Sequence, residues 1–191
     1  MSARRLLLLG PPGVGKGTQA QRLIDALGIP QISTGEMLRA AVAADTPVGR
    51  KAKGFMERGQ LVSDEVVIGV ARERLEKPDA RKGFILDGFP RTVAQAEALD
   101  GMLRELGVRL ERCVALTADA DELVERLLLR AQKEGRADDN EETIRTRMKV
   151  YEDQTAPLIA YYREQGILAE VDGVGDIEEI AARVREAIGT R

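Results

Sequence analysis

Short apolar runs alternate along this chain with segments in which apolar residues recur at helical spacing. The apolar runs predict strands at residues 5–9, 30–32, 83–86, 112–117 and 167–171. The periodic segments predict helices at residues 16–27, 35–43, 48–58, 63–76, 92–106, 120–133, 141–164 and 176–188. Strands that alternate with helices of this length are typical of α/β proteins. Because the strands are apolar on both faces, we expect a parallel sheet that helices cover on both sides.

Three places interrupt this alternation. Two short helices, rather than one crossover helix, follow the second strand, and they predict a small lobe over residues 33–62 that projects from the sheet. The charged stretch Lys133–Asp139 contains a glycine and separates two long helices, so we interpret it as a mobile flap. Pro157 is expected to interrupt the helix at 141–164, with Thr155 capping the helix that restarts.

The first strand leads directly into a glycine-rich loop and then into a helix. Residues 10–18 read Gly-Pro-Pro-Gly-Val-Gly-Lys-Gly-Thr. In this arrangement the glycines let backbone N–H groups face a phosphate, the helix N-terminus adds its positive dipole end, and Lys16 can reach the outer phosphates. The loop departs from the common G-x-x-x-x-G-K-[ST] pattern, because Gly17 follows the lysine and the hydroxyl arrives at Thr18. We therefore predict a nucleoside triphosphate site; the alternative is an ordinary turn between a strand and a helix.

The composition removes several kinds of chemistry. The chain has no histidine, which excludes His-dependent triads, phosphohistidine intermediates and His-ligated metals. Its single cysteine, Cys113, excludes an intrachain disulfide and a Cys-based zinc site, and its apolar neighbours indicate a buried strand thiol. Because 29 Lys and Arg nearly balance 32 Asp and Glu, neither nucleic-acid binding nor membrane binding is expected. With no run of about 20 apolar residues, we expect one soluble, cytoplasmic domain.

Two further segments follow strand ends and enter helices. These are Ser33–Arg39 and Asp87–Gln95. Because ligands of open α/β sheets bind beyond the carboxyl ends of the strands, both segments are expected to face one crevice together with the glycine loop. Asp87 ends a buried strand, where a carboxylate can hold Mg²⁺ directly or through water. The alternative for Asp87 is a turn-forming aspartate before Gly88. Pro90 stiffens the chain and fixes where the next arginine projects.

Taken together, these segments resemble the adenylate kinase family. The resemblance covers essentially the whole chain and rests on motifs in the family's order and spacing: Gly10–Gln19, Ser33–Arg39, Asp87–Thr92 with Gln95, and Gly135–Asn140. It implies a P-loop NTPase-like core with a five-stranded parallel sheet, a small helical lobe for the nucleoside monophosphate, and a short lid without zinc. The corresponding boundaries are 1–32, 63–129 and 137–191 for the core, 33–62 for the lobe and 130–136 for the lid.

The resemblance implies reversible transfer of a phosphoryl group from MgATP to AMP, giving two ADP. It implies that the ATP site is formed by Gly13, Val14, Gly15, Lys16, Gly17, Thr18, Arg126, Arg130 and the backbone at Gly175. Arg126 would stack on the ATP adenine, and Arg130, four residues further along the same helix, would reach the phosphates. The alternative for this pair is a solvated helix face in which the arginines pair with Glu122 and Glu134.

The resemblance also implies an AMP site and a catalytic set. The AMP site comprises Thr34, Arg39, Gln60, Leu61, Val62, Gly88, Phe89, Pro90, Arg91, Gln95, Arg136 and Arg147. The catalytic set comprises Lys16, Asp87, Arg91, Arg130, Arg136 and Arg147, with Asp87 holding the Mg²⁺ of MgATP through water. Gln95 suits the adenine edge, because a carboxamide offers one donor and one acceptor.

Two other functions stay open at this point. The similar UMP/CMP kinases usually carry Asn where Thr92 stands here, whereas Thr34 with Gln95 looks like the pair that selects adenine. A nucleotide-binding switch without catalysis would lack one of the catalytic groups, and this chain carries all of those that the resemblance implies. Both points favour the transfer of phosphate to AMP. Our hypothesis is that a monomeric enzyme carries out this transfer.

Overall fold

A computed structural model describes residues 4–136 and 139–189 of the chain, and this part contains one five-stranded parallel sheet. The strands are β1 Arg5–Leu9, β2 Gln31–Ser33, β3 Phe84–Asp87, β4 Arg112–Thr117 and β5 Leu168–Asp172. Their order across the sheet is β2-β3-β1-β4-β5, and each neighbouring pair is parallel. The α/β class and the five-stranded parallel sheet that the sequence predicts are confirmed.

The helices follow the sequence prediction closely. They are α1 Lys16–Leu27, α2 Thr34–Ala43, α3 Pro47–Glu57, α4 Asp64–Leu75, α5 Val93–Glu105, α6 Ala120–Glu134, α7 Glu141–Val150, α8 Pro157–Glu164 and α9 Ile177–Ala187. A 3₁₀ turn at Pro78–Lys82, which the sequence did not predict, leads into β3. No helix within residues 4–136 and 139–189 is long and apolar enough to span a lipid bilayer.

The sheet separates two cores, and β1 contributes to both. Leu7 and Leu9 pack on the side of α4, α5 and α8, whereas Leu6 and Leu8 pack on the side of α1 and α9. All four leucines are at most 3% exposed. A strand buried on both faces needs apolar side chains at every position, which explains the uninterrupted leucine run. Cys113 is buried in β4, as its neighbours predicted.

The helical segment before Pro157 ends differently from the prediction. A π-helical turn at Tyr151–Thr155 follows α7, and Pro157 occupies the first turn of α8, where a missing N–H is tolerated. The predicted capping role of Thr155 is wrong. The residue before α8 is Ala156, which has helical dihedral angles, so the chain never adopts the extended conformation that a side-chain cap requires.

Between β2 and α4, the helices α2 and α3 pack tightly on each other. Thr46 caps α3 by accepting a hydrogen bond from the Gly49 N–H at 3.0 Å. Gly49 lies where the two backbones come closest, because a Cβ built there would lie 2.0 Å from the carbonyl oxygen of Ala41. This pair of helices lies within the predicted 33–62 lobe, and the bounds of that lobe stay a prediction.

We expect Gly49→Ala to destabilise the protein by about 2 kcal/mol, because the added methyl group meets rigid backbone. Gly54→Ala is the matched control on the same helix, since its Cβ would meet only the end of the Arg58 side chain, at 3.4 Å. Gly54→Ala should be neutral or stabilise by up to about 1 kcal/mol, because alanine has the higher helix propensity. Urea denaturation of both variants measures the difference, and equal stabilities would contradict the close packing of α2 on α3.

Candidate active site

Two cavities adjoin each other beyond the carboxyl ends of the strands. The larger encloses about 1310 Å³, including its open mouth, and follows the glycine loop. Its lining includes Gly13, Gly15, Lys16, Gly17, Thr18, Asp87, Arg126 and Arg130. The smaller measures about 590 Å³, also including its open mouth, and lies between the α2–α3 pair, α4 and the start of α5. Its lining includes Thr34, Leu38, Met56, Gln60, Leu61, Val62, Val67 and Gln95.

The cavities share one wall. Both are lined by Gly35, Arg39, Gly88, Arg91, Arg136 and Arg147. Four of these six residues are arginines, so the zone where the cavities meet is strongly cationic. This geometry can hold two anionic ligands end to end, with their charged ends at the shared arginines.

Some predicted site residues lie outside these linings. Val14 and Phe89 are buried, with 1% and 0% exposure, so neither side chain faces these cavities. Pro90, joined to Phe89 by a cis peptide bond, lines a third cavity beside the glycine loop. Gly175 lies in the loop that follows β5. In the same loop, the backbone N–H of Gly173 donates to the Thr117 carbonyl at 2.7 Å.

The glycine loop places backbone donors at the start of α1. Gly13 and Gly15 have φ angles of 82° and 100°, a region that side chains other than glycine avoid. Gly15 stands at the N-cap without a side-chain hydrogen bond, and the first turn carries no acidic residue. The first N–H groups of α1 and the helix dipole are therefore available to an anion.

Lys16 is held inside this loop. Its Nζ donates to the carbonyl oxygens of Gly10 at 2.8 Å and Pro11 at 3.1 Å. Burial lowers the pKa of Lys16 from 10.5 to about 8; the Asp87 carboxylate opposes that shift, while nearby arginines add to it. The ammonium group is thus desolvated and poorly compensated without a ligand, which prepares it for a polyphosphate.

Asp87 ends β3 and faces the larger cavity. Its Oδ2 accepts a hydrogen bond from Gln31 Nε2 at 3.1 Å, and this contact, 56 residues apart in sequence, orients the carboxylate. Among the described residues, no group of three or more His, Cys, Asp or Glu could hold a metal ion. One carboxylate fits Mg²⁺ that takes its other ligands from phosphates and water, so the donor set suits a nucleotide-bound magnesium ion.

Asp139 forms ion pairs with three arginines that line the cavities. It is 2% exposed and accepts two hydrogen bonds from Arg130, from Nε and Nη2, each at 2.6 Å. Arg147 Nη1 donates to its Oδ1 at 2.8 Å, and Arg136 Nε lies 3.8 Å from its Oδ2. Asp139 lies in the predicted flap, and the sequence pattern indicates no role for it. Its flap neighbours Ala137 and Asp138 lie outside the described residues, and the mobility of the flap stays a prediction.

Arg126 lines the larger cavity. It pairs with Glu122 on α6, and it also donates to the carbonyl oxygens of Gly173 at 3.2 Å and Val14 at 3.5 Å. The ion pair that the solvated-face interpretation predicts is therefore present for Arg126, whereas Arg130 pairs with Asp139. Arg126 therefore links the glycine loop to the loop after β5.

Comparison with known proteins gives a consistent result. The family model described as "Adenylate kinase" matches residues 8–167. A relative named adenylate kinase from Xanthomonas euvesicatoria pv. vesicatoria (strain 85-10) is 55% identical over 185 residues, covering 97% of this chain and 99% of the relative. Relatives of the same name come from Thermobifida fusca (strain YX) and Stenotrophomonas maltophilia (strain K279a). The first is 51% identical over 187 residues (98% and 99% coverage) and the second 54% identical over 184 residues (96% and 98%).

Proposed function

This chain belongs to the adenylate kinase family, and on that premise we propose that its two cavities hold MgATP and AMP end to end. It is an ATP:AMP phosphotransferase, which converts ATP and AMP reversibly into two ADP. The observation that carries the proposed arrangement is the cationic wall that both cavities share, with Arg91, Arg136 and Arg147.

On the ATP side, the glycine loop from Gly13 to Thr18 binds the phosphates through its backbone N–H groups. Lys16 leaves its carbonyl partners and follows the transferred phosphoryl group. Arg126 stacks on the adenine, and the backbone near Gly175 contacts the base. The two loop carbonyls that Arg126 already contacts support this position.

On the AMP side, the base lies among apolar side chains and the phosphate points to the shared arginines. Leu38, Met56 and Val67 line this cavity, and they could not be predicted because apolar helix residues have the same sequence pattern as ordinary core residues. Thr34 and the Arg91 side chain both donate to the Gly88 carbonyl at 2.9 Å, so the turn after β3 is fixed next to the AMP phosphate.

The chemistry needs no side-chain base, because an AMP phosphate oxygen is largely ionised near neutral pH. The protein's work is to align the acceptor with the γ-phosphorus, exclude water and neutralise charge in the transition state. Lys16 and the arginines supply the charge. The Mg²⁺ that accompanies ATP adds further neutralisation, and Asp87 is the residue that would hold it through water. Exclusion of water gives the 33–62 lobe and the 130–136 lid a reason to close.

The experiment that tests this proposal offers AMP, CMP and UMP in turn to the purified protein with MgATP. We expect AMP to give the highest kcat/KM for nucleoside diphosphate formation. Faster turnover of CMP or UMP would overturn AMP as the phosphate acceptor. ATP binding without turnover would favour the alternative of a nucleotide-binding switch without catalysis. Light scattering during gel filtration tests the proposed monomer, and cell fractionation tests the proposed cytoplasmic location.

The pKa of Lys16 predicts proton uptake when ATP binds. With a pKa of about 8 in the free protein, Lys16 is about half neutral at pH 8, and the triphosphate raises that pKa by favouring the ammonium form. We expect uptake of about half a proton per MgATP at pH 8, and much less at pH 6.5, where Lys16 is already charged. Calorimetry in two buffers with different ionisation enthalpies measures it, with Lys16→Met as control. Heats independent of buffer at pH 8 would contradict the lowered pKa.

A further inference from the structure

Hydrogen bonds hold both the amide nitrogen and the amide oxygen of Gln95, which lines the AMP cavity. It is 1% exposed and lies in the first turn of α5. Its Nε2 donates to Asp64 Oδ1 at 2.8 Å, and its Oε1 accepts from the backbone N–H of Arg91 at 2.8 Å. Asp64 is the first residue of α4.

These two partners determine which way the carboxamide faces. An ionised carboxylate can only accept hydrogen bonds, and a backbone N–H can only donate. A turned carboxamide would place its oxygen against the carboxylate and its NH₂ group against the N–H. Both contacts would then become repulsive, so Gln95 has one orientation rather than two.

A fixed orientation matters because adenine and hypoxanthine present opposite patterns of hydrogen-bond donors and acceptors to Gln95. Adenine accepts at N1 and donates from its 6-amino group, whereas hypoxanthine donates from N1 and accepts at O6. A carboxamide that turns freely would suit both bases. A fixed one suits a single base, since the wrong base leaves a buried polar group facing a like group.

We propose that Asp64 is a positioning residue that sets base specificity: through Gln95 it makes the AMP site read a 6-aminopurine and reject a 6-oxopurine. The proposal rests on the assignment of Gln95 to the AMP base in the proposed function. A simpler role for Asp64 is to stabilise α4, as an acidic side chain near the positive end of the helix dipole. Glu65 shares that role in the same helical turn and, like Asp64, it is exposed, but only Asp64 is hydrogen-bonded to Gln95.

The test compares kcat/KM for AMP with that for IMP, whose base differs from adenine only at N1 and C6, at saturating MgATP. We expect Asp64→Ala to lower the AMP:IMP ratio about tenfold or more, the effect of one hydrogen bond to a charged group. The change should lie in KM for the monophosphate, with KM for ATP unchanged. Asp64→Asn should restore part of the ratio because its amide oxygen still accepts, and Glu65→Gln should match the wild type.

A wild-type ratio in a folded Asp64→Ala protein would overturn the proposal, and thermal denaturation establishes the fold. Gln95→Ala, measured alongside, separates the two ideas. If it alone loses discrimination, Gln95 reads the base without help from Asp64, and the AMP site stands. If neither variant loses discrimination, the assignment of Gln95 fails as well. A fall of the ratio in Glu65→Gln equal to that in Asp64→Ala would leave only the dipole effect and would also overturn the proposal.

Discussion

Lys16→Met is expected to lower kcat for ADP formation by about 10³-fold while the protein stays folded. A fixed donor aimed at the charge of a transition state is worth roughly 10²–10³ in kcat, and a full positive charge in a desolvated loop lies at the upper end of that range. Methionine keeps the length and the packing of the side chain. The variant should be at least as stable as the wild type, because it removes an ammonium group whose pKa burial lowers to about 8.

A coupled assay of ADP formation measures this loss, and thermal denaturation shows that the fold survives. Lys149→Met is the matched control, because Lys149 is an exposed lysine that pairs with Asp153 on the surface. We expect its kcat within about twofold of the wild type, since an exposed ion pair contributes little. Turnover at the wild-type rate in Lys16→Met would contradict the role of Lys16 in the transfer.

The secondary structure could be predicted because its signals are local. Apolar runs, helical periodicity and side chains that favour helix starts place most elements within a residue of their observed bounds. Ser33, Thr46, Thr92 and Asn140 each accept a hydrogen bond from a backbone N–H in the first turn of the helix that follows. The π turn before Pro157 could not be predicted in this way, because the path between α7 and α8 depends on packing rather than on a local signal.

The candidate site could be predicted only as a set of residue types. The glycine loop, the strand-end aspartate and the arginines have sequence signals, and the structure brings them around two adjoining cavities. The residues that orient them come from distant parts of the chain: Gln31 reaches Asp87 across 56 positions, and Asp64 reaches Gln95 across 31. Nothing in the sequence pattern distinguishes such a glutamine or aspartate from a solvated one, because the distinction is made by the fold.

Asp139 is the clearest example, and we expect Asp139→Asn to lower kcat by about 10²-fold, as the loss of one set of aligned donors does. Among the described residues it is the least exposed charged one, at 2%. Asparagine keeps the shape but turns an NH₂ group toward the guanidinium donors of Arg130 and Arg147. Loss of a buried partner leaves the arginine cations uncompensated and lowers the free energy of unfolding by about 3 kcal/mol. The loss is smaller here because these arginines are partly exposed. We therefore expect the free energy of unfolding to fall by about 2 kcal/mol.

Asp139 also has an opposing effect, because its negative charge draws the arginines away from the phosphates. The geometry favours positioning over this competition. A guanidinium group has five N–H donors, and Asp139 occupies two donors of Arg130, so further donors can face the cavity while the ring of arginines stays aligned. Steady-state kinetics and urea denaturation decide between the two effects, with Glu141→Gln as control, since it removes an exposed carboxylate–arginine pair. If Asp139→Asn lost stability but kept its kcat, Asp139 would serve the fold alone; a raised kcat would mean that charge competition outweighs alignment.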